Sequence, residues 1–140
     1  MTEKELSRYF YLKKEIEDLE ERIEKLGDGV GSIEITDMPK GSKKIVSIQE
    51  KITELRNRYI EARISALEEY LKIENYIKLV EDTEIRTIMR MRFLDLKTWE
   101  EIGRNLHMDR TTAYRNMKKY LKLHKNHVHI WYNSIVENNK

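Results

Sequence analysis

The spacing of apolar residues restricts this chain to helices. Between Tyr9 and Leu26 they fall at Tyr9, Leu12, Ile16, Leu19, Ile23 and Leu26, in alternating steps of three and four. That rhythm places them on one stripe of an α-helix and on no single face of a strand. It recurs further on, at Ile52, Leu55, Tyr59, Ala62, Ala66, Tyr70, Ile73, Ile77 and Val80. Punctuation agrees with this reading. The 140 residues contain 5 Gly and 1 Pro, too few turn-formers for a turn-rich β fold.

The first helix is expected over Thr2 to Leu26, opened by a capping box of Thr2 and Glu5. Gly27-Asp28-Gly29-Val30-Gly31-Ser32 is expected to end it and to begin a loop over about 27–46. Ser47 with Glu50 reads as a second capping box, opening a helix that runs to about Glu81. In its middle a second stripe appears, Ile60, Ile64, Leu67 and Leu71, so this helix is apolar on two faces. Two long charged helices with narrow stripes cannot build a thick core between them. The economical solution is an antiparallel, coiled-coil-like hairpin that pairs with a second copy. Leu12, Ile16, Leu19, Ile23, Ile52, Leu55, Tyr59 and Leu67 are the candidate dimerisation residues of this homodimer.

The last third is built from shorter pieces. Asp82 or Thr83 caps a helix carrying Ile85, Ile88, Met89, Arg92 and Phe93, and Leu94-Asp95-Leu96-Lys97 breaks it. Thr98 and Glu101 make a third capping box, opening a helix with Trp99, Ile102 and Leu106 on its apolar face. After a short turn at His107-Met108, Asp109 caps a helix from Arg110 to about His124, with Ala113, Met117, Tyr120 and Leu121 facing inward. The tail holds Val128, Ile130, Trp131, Ile135 and Val136, enough for one more short helix. The expected organisation is therefore a hairpin region over 1–81, a helix-turn-helix over 82–125 and a tail over 126–140, all-α throughout.

Several functions are excluded or disfavoured by residue type. There is no cysteine, hence no disulfide, thiolate metal site or cysteine nucleophile. His124, His127 and His129 lack the spacing of zinc ligands, so no metal and no cofactor is expected. The carboxylates lie at solvent positions of long helices, with neither a Gly-rich phosphate loop nor a nucleophile elbow, so no enzyme is expected. No apolar run is long enough for a membrane helix. The opening Met1-Thr2-Glu3-Lys4-Glu5 is acidic and polar, unlike a signal peptide.

Charge is the feature that points to a partner. The formal net charge is only +2. Residues 107–125 nevertheless hold six basic side chains and one acidic, a net +5, whereas 1–26 and 47–82 each hold six basic and eight acidic, a net −2. On the last helix Thr111, Arg115, Lys118 and Lys122 share the side opposite Ala113 and Met117, flanked by Thr112 and Lys119. Arg pairs bidentately with guanine, Thr meets a thymine methyl, and Lys neutralises phosphate. This face therefore suits the major groove of double-stranded DNA. Arg104, Arg110, Lys118, Lys119 and Lys122 are the expected phosphate contacts; Thr111, Thr112 and Arg115 are the expected base contacts, with Tyr114 at the edge.

Residues 82–124 resemble the sigma-70 region 4 type of helix-turn-helix. The matching stretches are Met91-Arg92-Phe93, Thr98-Trp99-Glu100-Glu101-Ile102-Gly103 and Leu106-His107-Met108-Asp109-Arg110-Thr111-Thr112-Ala113-Tyr114-Arg115. His107 stands where that family usually has Gly, and His accepts a left-handed backbone better than bulky branched residues do. With the linker Ile35-Thr36-Asp37-Met38-Pro39-Lys40-Gly41, nearly the whole chain resembles small phage and prophage proteins near the ArpU and RinA types of late transcription regulator. That resemblance implies promoter DNA binding in the cytoplasm of a bacterial host. Two alternatives belong to other classes. One is a sigma-like interaction module contacting RNA polymerase or a phage protein. The other is a DNA-packaging component of the small-terminase kind.

Overall fold

The computed structural model of the chain describes residues 1–31 and 39–124. Among these residues every regular element is helical and no strand occurs, so the chain is all-α. None of the described helices is long and apolar enough to cross a membrane.

Helix α1 spans Glu3–Leu6 and opens with the expected capping box. The Glu5 amide donates to Thr2 Oγ1 at 3.3 Å, and the Thr2 amide donates to the Glu5 carboxylate at 2.6 Å. The single helix expected from Thr2 is interrupted at Ser7, whose hydroxyl donates to the Glu3 carbonyl at 2.9 Å and competes with the ladder there. Helix α2, Arg8–Gly31, then runs past its expected end at Leu26. A glycine inside a helix costs only about 1 kcal/mol relative to alanine, a penalty and not a barrier. No described glycine has a positive φ.

Helix α3 spans Pro39–Lys78. It starts at Pro39, where a fixed φ and a missing amide cost nothing, and not at Ser47, which lies inside the helix. Of the loop expected over 27–46, residues 27–31 and 39–46 are therefore helical. The rest of it, with most of the linker motif, lies outside the described residues, as do His127, His129 and the expected tail helix.

The chain forms two compact units. The first comprises Met1–Phe10 with the chain from Glu68 onward. Its core joins Leu6 of α1 and Ile73, Ile77 and Val80 around the end of α3 to Ile88, Ile102 and Met117 further along the chain. The last turns of α3 supply one wall of this core. Burial beside it pushes the Tyr76 hydroxyl up to about 12. Tyr9 and Tyr70 meet edge to face at the margin, ring centres 5.3 Å apart.

The second unit is Tyr11–Leu67, carried by α2 and α3. Ile16, Leu19, Ala62 and Ala66 are buried in it. The Tyr59 hydroxyl donates to Glu20 Oε1 at 2.6 Å, joining the two helices. Leu12, Ile23, Ile52, Leu55 and Tyr59 are half-buried. Seven of the eight candidate dimerisation residues are thus covered, wholly or partly, within a single chain. The eighth, Leu67, is 59% exposed.

Candidate nucleic-acid interface

The basic face is positioned by four short helical segments of the first unit. Helix α4, Thr83–Met89, is capped by Asp82, whose carboxylate accepts from the Ile85 amide at 3.0 Å. It widens into a π-helical turn over Arg90–Leu94, in which the Asp95 amide reaches five residues back to the Arg90 carbonyl at 3.0 Å. Leu96 takes a left-handed φ of 57°, and the Lys97 amide closes on the Met91 carbonyl at 2.9 Å. Arg92 fastens this turn from the side. Its guanidinium donates to the Lys97 carbonyl at 2.9 Å and lies 5.3 Å from the centre of the Trp99 ring. Arg92 therefore works as a clasp for the chain entering the next helix, and not as one of the inward apolar positions.

Helix α5, Trp99–Leu106, opens with the expected capping box. The Glu101 amide donates to Thr98 Oγ1 at 3.3 Å, and the Thr98 amide donates to Glu101 Oε2 at 2.7 Å. The Thr98 backbone and hydroxyl together hold the Glu101 carboxyl below its usual range. His107 closes α5 in the left-handed conformation, φ 54° and ψ 40°, as the turn requires. The Met108 amide then bonds back to the Gly103 carbonyl at 3.0 Å. A Cβ on Gly103 would sit 2.7 Å from the Met108 carbonyl oxygen and 3.1 Å from the Arg110 amide nitrogen. The chain therefore leaves α5 through a gap that only glycine provides.

Helix α6 spans Arg110–Leu123. Asp109 caps it, its carboxylate accepting from the Thr111 amide at 2.7 Å. That hydrogen bond holds the Asp109 carboxyl low. Ala113 and Met117 are fully buried against the core and Leu121 nearly so. Tyr120 is half-buried beside them, its hydroxyl raised chiefly by burial. Asn116 Nδ2 donates to Glu84 Oε1 at 3.0 Å, tying α6 to α4. Trp99 and Tyr114 meet edge to face at 5.3 Å, tying it to α5. The inner side of α6 is thus held from two directions, which fixes what the outer side presents.

Arg104, Arg110, Thr111, Thr112, Arg115, Lys118, Lys119 and Lys122 are all exposed, and Tyr114 is half-buried. Their side chains differ in freedom. Arg110 is ion-paired with Glu100 at 2.6 Å, both ends being well exposed. Lys118 donates to the Tyr114 hydroxyl at 2.8 Å and lies 5.1 Å from its ring centre, a contact that raises its ammonium. Among the described residues, Arg115, Lys119 and Lys122 have no hydrogen-bonding or ion-pair partner. They follow one another at intervals of four and three residues, a run of about 10 Å along the helix.

Sequence spacing identified the outer face but missed three of the contacts that shape it. Glu100 and Arg110 are ten residues apart and meet only through the turn between the helices. Asn116 and Glu84 are 32 apart. Arg92 gave no positional signal. The Tyr114–Lys118 contact, by contrast, has the four-residue spacing from which a helical neighbour can be read. Comparison with family models, with curated proteins and with solved structures gives no match.

Proposed function

We propose that this protein is a sequence-specific DNA-binding regulator of transcription of the phage type. In this reading α5, the left-handed turn at His107 and α6 form a helix-turn-helix of the sigma-70 region 4 kind. Helix α6 lies in the major groove, and the α2–α3 hairpin belongs to a dimer. The observation that carries it is the outer face of α6, where Arg115, Lys119 and Lys122 stand exposed, without a partner among the described residues, on a helix whose inner face is locked. A merely solvated face needs neither that concentration of one charge sign nor that fixation. The −2 on residues 1–26 and on 47–82 supports it further, because phosphate repels those segments and attracts residues 107–125.

The roles divide by chemistry. Arg115 is the base-reading side chain, with Thr111 and Thr112 beside it. Lys119, Lys122 and Arg104 meet phosphates. The test is a pair of variants measured over a salt series. Arg115→Ala relaxes preference at one base pair by about 1–3 kcal/mol. Lys119→Ala weakens all sequences alike and lowers the salt slope by about one. If both variants bind a cognate promoter as wild type does, the reading is wrong. Binding that appears only when RNA polymerase is added points to the interaction module, and a ring-sized mass to the packaging component.

A further inference from the structure

We infer that α3 carries a second, self-complementary seam through which two copies of the chain pair in parallel and in register. This assigns a surface and an orientation to the dimer proposed above. It draws nothing from the DNA contact.

The seam lies on one helix. Ile60, Ile64, Leu67 and Leu71 are 55%, 55%, 59% and 47% exposed. Steps of four, three and four place them on one stripe of α3, turned roughly 150° from the buried Ala62 and Ala66 at 100° per residue. Four aliphatic side chains on one stripe make a face that no other described residue covers, not scattered surface residues. In heptad terms they occupy d, a, d and a, and the preceding a position is Asn57.

The flanks decide what covers it. Glu61 and Glu68 hold the e positions, Arg56 and Arg63 the g positions, and all four are exposed. Among the described residues, Arg56, Glu61 and Glu68 form no ion pair, and Arg63 rests 5.6 Å over the Tyr59 ring. In a parallel, in-register pair each g position faces the e position of the following heptad. Arg56 then meets the partner's Glu61, and Arg63 meets the partner's Glu68. The two-fold axis repeats both contacts. In an antiparallel pair e faces e and g faces g, which sets Glu against Glu and Arg against Arg. The charge pattern therefore fits one orientation and opposes the other. Asn57 adds to this, because a lone Asn at an a position fixes register and the two-stranded state. The seam is short, so pairing is weak and depends on concentration.

The test is sedimentation equilibrium of the full chain without DNA, with circular dichroism on every variant. Wild type approaches the dimer mass as concentration rises. Ile64→Lys stays monomeric with unchanged helix content, since residue 64 is exposed in the single chain. Glu68→Arg weakens association several-fold, and adding Arg63→Glu restores it. Orientation is read from Asn57→Cys, the chain having no cysteine of its own. In the parallel pair this variant cross-links to itself under mild oxidation. In an antiparallel pair centred on residue 64 its two copies stand about 20 Å apart, far beyond disulfide reach. Dimerisation of Ile64→Lys overturns the proposal. So does a wild type that stays monomeric at every concentration, the result expected if residues 125–140 cover the stripe. A dimer that Glu68→Arg tightens, or that Asn57→Cys does not cross-link, overturns the parallel arrangement. Because no arm contains DNA, failure here is distinguishable from failure of the DNA reading.

Discussion

Replacing Gly103 with alanine tests the geometry that presents α6. A methyl group there falls 2.7 Å from the Met108 carbonyl oxygen and 3.1 Å from the Arg110 amide nitrogen. Both atoms are backbone, so neither can swing aside as a side-chain tip would. Relief requires the turn or the start of α6 to shift. Overpacking costs about 1–3 kcal/mol, and contacts with fixed backbone atoms belong in the upper part of that range, about 2–3 kcal/mol. Alanine also gains about 1 kcal/mol of helix propensity over glycine, which offsets part of the cost. The net expectation is a loss of about 1–2 kcal/mol, or a fall in melting temperature of roughly 4–16 °C at 4–8 °C per kcal/mol for a unit of this size. Gly27 supplies the control. An added Cβ there meets nothing within 4 Å, so Gly27→Ala gains about 0.5–1 kcal/mol. The assay is urea unfolding of both variants. Trp99 fluorescence in a Trp131→Phe background follows the first unit, and far-ultraviolet circular dichroism follows total helix. One substitution, made at two sites, is expected to give opposite signs. If Gly103→Ala is as stable as wild type, the close approach between the end of α5 and the start of α6 is wrong.

Three further outcomes follow from the same turn and cap. Glu100→Gln releases Arg110 from its 2.6 Å ion pair, so DNA affinity rises and the salt slope steepens by up to about one in a fluorescence-anisotropy titration. An unchanged slope would mean that Arg110 does not meet phosphate. His107→Gly removes the strain of a left-handed non-glycine residue at φ 54° and raises stability by about 0.5–1 kcal/mol, after allowing for glycine's greater freedom when unfolded. His107→Val lowers it, as thermal melts of the two variants will show. The Glu101 and Asp109 carboxyls are held low by the hydrogen bonds they accept, Glu101 from the amide and hydroxyl of its cap Thr98, and Asp109, itself a cap, from the Thr111 amide. Their folded values lie below their unfolded ones, so the stability they contribute is present above the ordinary carboxylate range and disappears as pH falls through the folded values. Melts from pH 6 to pH 2 should show that loss, and Asp109→Asn, which keeps a capping oxygen but does not titrate, should reduce it.

How much of this was legible in the sequence depended on the range of the interaction. Thr2 with Glu5, Asp82, Thr98 with Glu101 and Asp109 were readable as caps because a cap bonds to amides two or three residues away. The buried positions of α6 were readable because Ala113, Met117 and Leu121 are fixed by helical period alone. The glycine-rich stretch misled. Three glycines between 27 and 31 suggest a stop, yet each carries only a modest penalty and the helix continues through them to Gly31. Ser47 and Glu50 have the chemistry of a helix start, but α3 is already under way from Pro39. Periodicity identifies an apolar stripe without saying what it packs against. That is why the seam assigned to dimerisation is largely covered within one chain, while Ile60, Ile64 and Leu67 stay exposed. The π-helical turn at Arg90–Leu94 and the left-handed Leu96 have no local signature. They follow from burying Phe93 and Leu94 together in the core.

The most direct test of the central claim, that the outer face of α6 reads DNA, is selection of bound sites from random double-stranded DNA. Wild type and an Arg115→Ala/Lys119→Ala/Lys122→Ala variant are run in parallel, with folding of both checked by circular dichroism. Wild type is expected to enrich one motif and the variant none. No enrichment by wild type, or the same motif enriched by both proteins, would contradict it.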